Sequence, residues 1–315
     1  MAADSVNTLT QVRNATLRVN YGGVRFLIDP LLADKGAYSG FEGSANSELR
    51  NPLVSLPMPL QRIVDVDAVI VTHLHSDHWD DAAKTGLRKS MVIFAQNDED
   101  AAQIKQQGFT DVRVLTETTE FNGVRLAKTA GQHGTDEALK AMPSLGHVCG
   151  IAFSHPSANT LYVAGDTIWN RHVEEAIARH RPGVIVLNAG KAVMTGFAPI
   201  IMGEADVLAV HKAAPKATLV ASHYGGYQPL HPQPCGPARI FGARRLRIKP
   251  PDPGRWRELE YLNKSACPMS VYGSYRASVN DVEMGAAIRI IVMPAHDRCW
   301  REAEDTFDPK RSSAP

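Results

Sequence analysis

Residues 68–78 of the chain read AVIVTHLHSDH. The apolar first part is rich in β-branched residues and is typical of a buried strand, so the polar second part follows a strand end, where a rigid sheet can position a loop. Alternate residues of an extended segment project to the same side, so His73 and His75 can bind one ion together. Asp77 and His78 follow after a turn, and they can face a second ion beside the first.

The residue types in this segment are those that bind transition metals. Imidazole nitrogens and carboxylate oxygens are common zinc ligands, and they also suit iron and manganese. For a single histidine, a structural or surface role is the more frequent explanation. Three histidines and one aspartate within six residues after an apolar strand are hard to explain in that way. The segment therefore predicts a metal site.

The rest of the chain alternates short apolar runs with helical patterns. Residues 16–21 and 24–29 alternate apolar and polar residues on either side of Gly22-Gly23, which predicts a hairpin with a two-residue turn. Residues 31–60 are rich in Gly, Ser, Asn and Pro, which predicts a long surface loop that can line a substrate cleft. Further on, the pattern predicts helices over 98–107, 170–180 and 204–213, strands over 68–71, 184–187 and 218–221, and shorter strands near residues 112, 124, 151 and 161. A mixed sheet with interleaved helices is an α/β (α+β) layered fold.

Composition restricts the class of protein and its partners. The 315 residues are 44% hydrophobic and 21% charged, as in globular proteins with a substantial core. A formal net charge of +1 provides no overall field that would attract nucleic acid or an anionic membrane. We find no secretory signal and no apolar run near the roughly 18 residues of a membrane-spanning helix. The four cysteines are widely spaced without a CxxC pair, so we expect a cytoplasmic protein. A small-molecule substrate is expected, and the sequence indicates no oligomeric state.

The motif HxHxDH after a strand resembles the signature of the metallo-β-lactamase superfamily. That family adds a histidine, an aspartate and a final histidine, each after a strand, and His133, Asp166 and His223 occur here in that order. The resemblance covers about residues 17–223. Within the superfamily, the opening hairpin and the sequence Ile28-Asp29-Pro30 are most similar to the branch that contains L-ascorbate-6-phosphate lactonase.

The resemblance implies a four-layer αβ/βα sandwich with a metal centre at one edge between the sheets. It also implies two divalent metal ions, with Zn²⁺ as the first expectation and Mn²⁺ or Fe²⁺ as alternatives. The implied ligands are His73, His75 and His133 for one ion and Asp77, His78 and His223 for the other, with Asp166 bridging.

Such a centre predicts a hydrolase. Two metals can bridge a water and lower its pKa toward about 7, so that hydroxide is available to attack a small-molecule ester, lactone or phosphoester. One ion polarises the substrate oxygen, and the other stabilises the negative charge of the transition state. Asp77 is the expected catalytic residue, which orients the nucleophile or carries its proton in addition to any ligation.

Three other functions remain open. One is a redox or oxygen-handling protein on the same fold, although di-iron relatives usually carry a carboxylate at the position of His75. Another is a metal-binding family member that is catalytically impaired. The last is a nucleic-acid-processing enzyme, which normally brings a clamp domain and a basic surface that are not evident here.

Weaker signals surround the main motif. Trp79 and Asp80 are expected to pack or to support the ligands, since ligating histidines usually need a hydrogen-bond acceptor behind them. Asn188 and Lys191 follow the strand at 184–187, where they can meet substrate, although a surface lysine is the commoner outcome. Histidines without partner spacing are expected to be structural or solvated: His147, His155, His172, His180 and His211.

The resemblance stops abruptly after His223. Residues 224–315 contain Pro- and Arg-rich sequence with weak periodicity, and we interpret them as an atypical C-terminal segment that follows a hydrolase domain of residues 1–223. Codons compatible with residues 224–239, read one base later, can encode Met-Glu-Ala-Ile-Asn-His-Cys-Thr-Leu-Ser-Arg-Ala-Asp-Leu-Arg. That reading is the continuation expected from related proteins. The hypothesis is therefore a frameshift near codon 224, which predicts a poorly packed segment.

Overall fold

The structure is a computed structural model that describes residues 7–41 and 47–223, together with the backbone of two short strands at 245–248 and 290–292. The strands are β1 (Asn7–Arg13), β2 (Thr16–Tyr21), β3 (Val24–Ile28), β4 (Ala68–Val71), β5 (Val92–Ala95), β6 (Asp111–Val114), β7 (Thr119–Phe121), β8 (Val124–Ala130), β9 (Cys149–His155), β10 (Ala158–Val163), β11 (Val184–Asn188), β12 (Thr218–Ser222), β13 (Arg245–Ile248) and β14 (Ile290–Val292). The helices are α1 (Leu60–Ile63), α2 (Asp81–Gly86), α3 (Asp98–Gln106), α4 (Asp136–Ala141), α5 (Arg171–His180) and α6 (Glu204–Ala213), with one turn of 3-10 helix at Pro143–Leu145.

The strands form two seven-stranded mixed sheets. The first has the order β13-β1-β2-β3-β4-β5-β6, and the second has the order β14-β12-β11-β10-β9-β8-β7. Strands β3 to β6 run parallel in the first sheet, as do β10, β11 and β12 in the second. Because the carboxyl ends of parallel strands meet at one sheet edge, the loops that follow them can build a common site.

Apolar side chains from both sheets meet in a central core. Phe26 of the first sheet packs edge-to-face on Phe153 of the second, with ring centroids 5.4 Å apart. A second cluster packs α2 and α3 on the outer face of the first sheet, and a third packs α5 and α6 on the outer face of the second. The order helix, sheet, sheet, helix confirms the predicted four-layer αβ/βα sandwich.

The opening hairpin is confirmed, and its turn explains its residues. Gly22 and Gly23 join β2 to β3 with φ of 58° and 85°. Tight two-residue hairpin turns need positive φ, which glycine adopts without the steric penalty of a Cβ atom. The preceding strand β1, which the sequence pattern did not reveal, pairs antiparallel with β2. Its turn to β2 contains Asn14, also at positive φ, 50°.

The predicted long loop differs from the expectation in its burial. Between β3 and α1, the described residues form one isolated β-bridge, between Tyr38 and Asn51, and they form no helix and no strand of several residues. The loop nevertheless starts inside the protein, with Leu31 fully buried. The buried Arg13 holds it there by donating hydrogen bonds to the carbonyls of Leu31, Ala33 and Val54 at 2.6–2.9 Å.

Two further predictions concern the ends and surroundings of this fold. The boundary at residue 223 and the atypical segment that follows it lie outside the described residues, except for the backbone of β13 and β14, so both remain predictions. Among the described residues, no helix has the length and apolar character required to cross a membrane.

Candidate metal centre

The seven predicted ligands come together at one edge of the sandwich. Each lies in a segment that leaves the carboxyl end of a strand, which gives the side chains a rigid base. The four residues of the main motif, His73, His75, Asp77 and His78, follow β4, and the other three follow β8 (His133), β10 (Asp166) and β12 (His223). The structure thus brings residues from distant parts of the chain into one cluster.

The cluster divides into two overlapping halves. Ligand atoms of His73, His75 and His133 lie within 4.8 Å of one another, and so do those of Asp77, His78 and His223. We call these sets the first triad and the second triad. In the first triad, His73 Nε2 lies 3.0 Å from His75 Nδ1.

Asp166 lies between the two triads. Its Oδ2 atom is 3.5 Å from His133 Nε2 of the first triad. The same atom is 3.2 Å from His78 Nε2 and 3.6 Å from His223 Nε2 of the second. One carboxylate oxygen therefore contacts members of both triads, as a bridging ligand must.

The donor spacing suits small divalent cations. A tetrahedral zinc ion with ligands at about 2.0–2.1 Å holds its donor atoms about 3.4 Å apart. The contacts within the cluster fall around that value, including 3.2 Å between His78 Nε2 and His223 Nε2. Two imidazole nitrogens at this distance need a proton or a cation between them, because their lone pairs repel each other. The residues thus form clusters able to bind metal.

Main-chain carbonyls orient two histidines of the first triad. His133 Nδ1 lies 2.9 Å from the carbonyl oxygen of Ile200, and His75 Nε2 lies 2.9 Å from that of Ser144. A carbonyl oxygen only accepts, so each of these ring nitrogens carries the hydrogen. The opposite nitrogen, His133 Nε2 or His75 Nδ1, keeps its lone pair and faces the cluster.

Asp29 orients a histidine of the second triad in the same way. No role for Asp29 was predicted from the sequence. Its Oδ2 atom accepts from His78 Nδ1 at 2.9 Å and from the Thr72 hydroxyl at 2.8 Å, while Oδ1 accepts from the Thr72 main-chain N–H at 2.8 Å. Asp29 is buried and lies at φ 48°, immediately after β3. The only signal in the sequence was its place in Ile28-Asp29-Pro30 at the end of the hairpin.

Burial and neighbouring carboxylates divide the histidines by charge. Burial lowers the pKa of His73 well below its usual value, and the other imidazoles around it add to this effect. For His78, burial also acts to lower the pKa, but Asp166, Asp77 and Asp29 outweigh it and raise the pKa well above its usual value. The second triad therefore attracts positive charge strongly, which a bound cation satisfies as well as a proton does.

Asp77 is ionised in this environment. Burial acts to raise the pKa of its carboxyl group, but the imidazoles of His78 and His223 outweigh burial and lower it. Asp77 Oδ2 lies 3.2 Å from His223 Nε2. Both side chains are 11% exposed, which makes them more accessible than His78. This carboxylate can accept a hydrogen bond from a molecule that enters the centre.

Asn188 and Lys191 have different environments. Asn188 is buried and donates a hydrogen bond of 2.6 Å from Nδ2 to Asp166 Oδ1, the oxygen on the far side from the histidines. Lys191 is half-exposed and forms an ion pair of 3.0 Å with Glu204. Asn188 thus belongs to the centre as a support for Asp166, whereas Lys191 forms a contact at the surface.

Trp79 and Asp80 have the packing role that their position predicted. The buried Trp79 ring contacts Phe109, and its Nε1 donates to Gln107 at 2.8 Å. Asp80 caps α2 by accepting from the N–H of Ala83. Asp80 also accepts from two N–H groups of the loop that follows β3. These contacts tie the end of the motif to the first sheet.

The other histidines lie outside the cluster. His155 contacts Ser157 through Nδ1 at 2.8 Å, and His211 is buried in α6. His147 accepts a hydrogen bond through its main-chain oxygen from Gln96. Neither these three nor His172 and His180 belong to a potential metal-binding group among the described residues.

A two-sheet sandwich with a His and Asp cluster at the ends of its strands is typical of metal-dependent hydrolases. The family model described as Beta-lactamase superfamily domain matches residues 24–224. The chain belongs to that superfamily.

Three similar proteins each align with this chain over most of their length. UPF0173 protein YddR of Bacillus subtilis (strain 168) is 49% identical over 216 residues, which are 68% of this chain and 84% of YddR. The isothiocyanate hydrolase from Delia radicum gut bacteria is 46% identical with a TM-score of 0.69, over 72% of this chain and 88% of that one. A possible metal-dependent hydrolase from Veillonella parvula DSM 2008 is 41% identical with a TM-score of 0.70 over the same shares. The finer resemblance to the lactonase branch stays a prediction.

Proposed function

We propose that this chain is a metallohydrolase that acts on a small electrophilic molecule at a centre of two divalent cations, with zinc as the first expectation and manganese or iron as alternatives. The first triad would hold one cation and the second triad the other, and Asp166 would be available to both. The observation that carries this proposal is the position of Asp166 Oδ2 within 3.2–3.6 Å of histidine nitrogens from both triads.

Bound divalent cations would lower the pKa of water toward neutrality and withdraw electrons from the substrate. The side chains have defined parts around that chemistry. Asp77 accepts at Oδ2 the hydrogen bond that orients the attacking water. Its lowered pKa keeps it ionised and able to accept at neutral pH. Asn188 holds Asp166 by its outer oxygen, so that the inner oxygen stays between the triads.

For the substrate, we propose an isothiocyanate as the first class to test. The 46% identical relative bears the name isothiocyanate hydrolase, and the likeness covers 88% of its chain. The central carbon of an isothiocyanate is electrophilic, and water can add across its C=N bond. The adduct, a thiocarbamic acid, breaks its C–N bond with transfer of a proton to nitrogen, which releases an amine and carbonyl sulfide. Esters, lactones and phosphoesters, the classes expected from the sequence, are the other members of the substrate panel.

The test combines metal analysis with that panel. Metal-free protein is loaded with Zn²⁺, Mn²⁺ or Fe²⁺, and hydrolysis of allyl and benzyl isothiocyanate is followed by amine release, beside a lactone, an ester and a phosphodiester. We expect two ions per chain and amine release that a chelator abolishes. Asp98→Asn, on the exposed first turn of α3, serves as a control that keeps full activity. A protein that binds no divalent metal, or that hydrolyses the panel equally well without metal, contradicts the proposal.

A second candidate, a metal-binding but catalytically impaired protein, is favoured by one observation. The match to the family model ends at residue 224, at the position from which codons read one base later can encode the expected continuation. We propose that residues 224–315 are translated from the shifted frame and that residues 1–223 form the hydrolase domain. Resequencing the gene should reveal an extra base after the His223 codon. Deleting that base should raise the urea midpoint of unfolding and kcat/KM together, whereas an intact gene without an insertion or deletion there refutes the proposal.

A further inference from the structure

Asn14 contacts the centre but belongs to no part of the recognised motif. It lies in the turn between β1 and β2 and is 1% exposed. Its main-chain oxygen accepts from the N–H of His223 at 3.0 Å, from the Ser222 hydroxyl at 3.1 Å and from Gln11 Nε2 at 2.8 Å. The turn is thereby fixed to the last residues of β12, next to the final histidine of the second triad.

The side-chain amide of Asn14 faces two members of that triad. Its terminal nitrogen lies 3.4 Å from Asp77 Oδ2, 3.4 Å from His223 Nε2 and 3.5 Å from the main-chain oxygen of Asp77. Its Oδ1 atom is buried and has no hydrogen-bond partner in the part of the chain that the structure describes. One end of the amide therefore lies against the second triad, and the other end makes no hydrogen bond there.

These contacts are poor hydrogen bonds for an amide nitrogen. An N–H···O bond has a typical length of about 2.9–3.0 Å, and all three contacts are longer. His223 Nε2 lies closer to Asp77 Oδ2 and to His78 Nε2, each at 3.2 Å, than to the Asn14 amide. A separation of 3.4 Å is instead the spacing expected between two ligands of one small cation. The two ends of an amide are nearly indistinguishable in shape, so the opposite orientation fits the same space.

We propose that Asn14 is a further ligand of the second cation site and that it contributes its amide oxygen beside Asp77, His78 and His223. Amide oxygens are suitable ligands for divalent cations. The oxygen would face the Asp77 carboxylate, and this arrangement is stable only when a cation is shared between them. This proposal rests on the proposed metal centre and adds one ligand to it.

The experiment removes the amide without disturbing the turn. Because Asn14 has φ 50°, Asn14→Gly keeps the backbone conformation, and Asn14→Asp keeps the shape and supplies a charged oxygen. Asn122 is a matched control, since it is exposed, has φ 49° and lies in the β7–β8 turn, away from the centre. Asn122→Gly and Asn122→Asp therefore report the general effect of the same substitutions.

Metal binding is measured by titrating metal-free protein with Zn²⁺ and Co²⁺, with bound metal counted by elemental analysis and the Co²⁺ absorption spectrum recorded. We expect wild type to bind two ions and Asn14→Gly to bind the weaker ion at least tenfold less tightly, with a changed Co²⁺ spectrum. Asn14→Asp should bind that ion at least as tightly as wild type, and both Asn122 variants should match wild type. Thermal unfolding of each metal-free variant checks that it is folded.

The outcomes separate the two proposals. A wild-type protein that binds no ion refutes the metal centre itself. If Asn14→Gly binds two ions with unchanged affinity, only the role of Asn14 is refuted. An Asn14→Asp protein that binds the second ion more weakly than Asn14→Gly also overturns it, because that result requires an N–H donor at this position. Binding of a single ion by wild type removes the site to which Asn14 was assigned.

Discussion

Replacing Asp29 with Asn should weaken the metal centre from a position outside the ligand set. Its carboxylate accepts three hydrogen bonds, from His78 Nδ1 and from the N–H and hydroxyl of Thr72. An amide of the same shape has one oxygen and one NH₂ group, so one of the N–H donors must face another donor. Asn tolerates positive φ, so the turn at φ 48° remains possible and the change acts through these hydrogen bonds.

The expected loss of metal affinity or of stability depends on which group the Asn side chain leaves without a hydrogen-bond partner. If the NH₂ group faces His78 Nδ1, it favours the tautomer with hydrogen on Nε2, which has no lone pair for a cation. Loss of a hydrogen-bond partner behind a metal ligand typically lowers metal affinity about 10–100-fold, or about 1.4–2.7 kcal/mol. If the NH₂ group faces Thr72 instead, a buried donor is left unsatisfied, which costs about 1–3 kcal/mol of folding stability.

Two measurements separate these cases. Competition with a chromophoric chelator gives the Zn²⁺ affinity, and urea unfolding of the metal-free protein gives the stability. We expect Asp29→Asn to lose at least tenfold in affinity or at least about 1 kcal/mol in stability. The exposed Asp98→Asn control should stay within about 0.5 kcal/mol and keep its metal affinity. If Asp29→Asn matched wild type in both measurements, the support assigned to Asp29 would be wrong.

Three further variants test other parts of the same centre. Asp166→Asn should release metal, as measured by elemental analysis, and lower activity at least about 100-fold, since the proposed metal centre supplies the nucleophile. Metal binding equal to that of wild type would contradict the proposed bridging role. Asn188→Ala should weaken Zn²⁺ binding about 10–100-fold because Asp166 loses the partner of its outer oxygen; unchanged affinity in the chelator assay would contradict that role. Arg13→Met should lower the urea unfolding free energy by about 3 kcal/mol or more, since three buried carbonyls lose their donor; a loss below about 1 kcal/mol would show that these carbonyls find other partners.

The elements with strong local patterns were predictable from the sequence. Strand β4 and helix α6 have the predicted bounds, and α3, α5, β11 and β12 differ by one residue at one end. Their apolar periodicity reflects the face that each buries, so local sequence and tertiary packing agree. The six-residue helices α2 and α4 were missed because they carry too few residues for a period to be visible. Strand β1 was missed because it buries polar residues, among them Gln11 and Arg13, so no apolar alternation marks it.

The predicted metal ligands also differ in how visible they were in the sequence. The four residues after β4 were evident because one strand end presents them together, so their spacing alone indicates metal binding. His133, Asp166 and His223 are single residues after separate strands, and only the resemblance to a family connected them. Their convergence depends on which strand ends share an edge, and that is a property of sheet order rather than of any local segment.

Asn14 and Asp29 show why the supporting residues could not be found in this way. Both lie just after the end of a strand in the first sheet, both have positive φ, and both are buried beneath the second triad. In the sequence, an Asn or Asp at such a turn is explained fully by its tolerance of left-handed backbone conformations. Their contacts with His223 and His78 depend on the docking of turns that are distant in sequence. A turn residue of this kind acquires a chemical role only when the fold places the turn against a site, so its signal is tertiary and has no local counterpart.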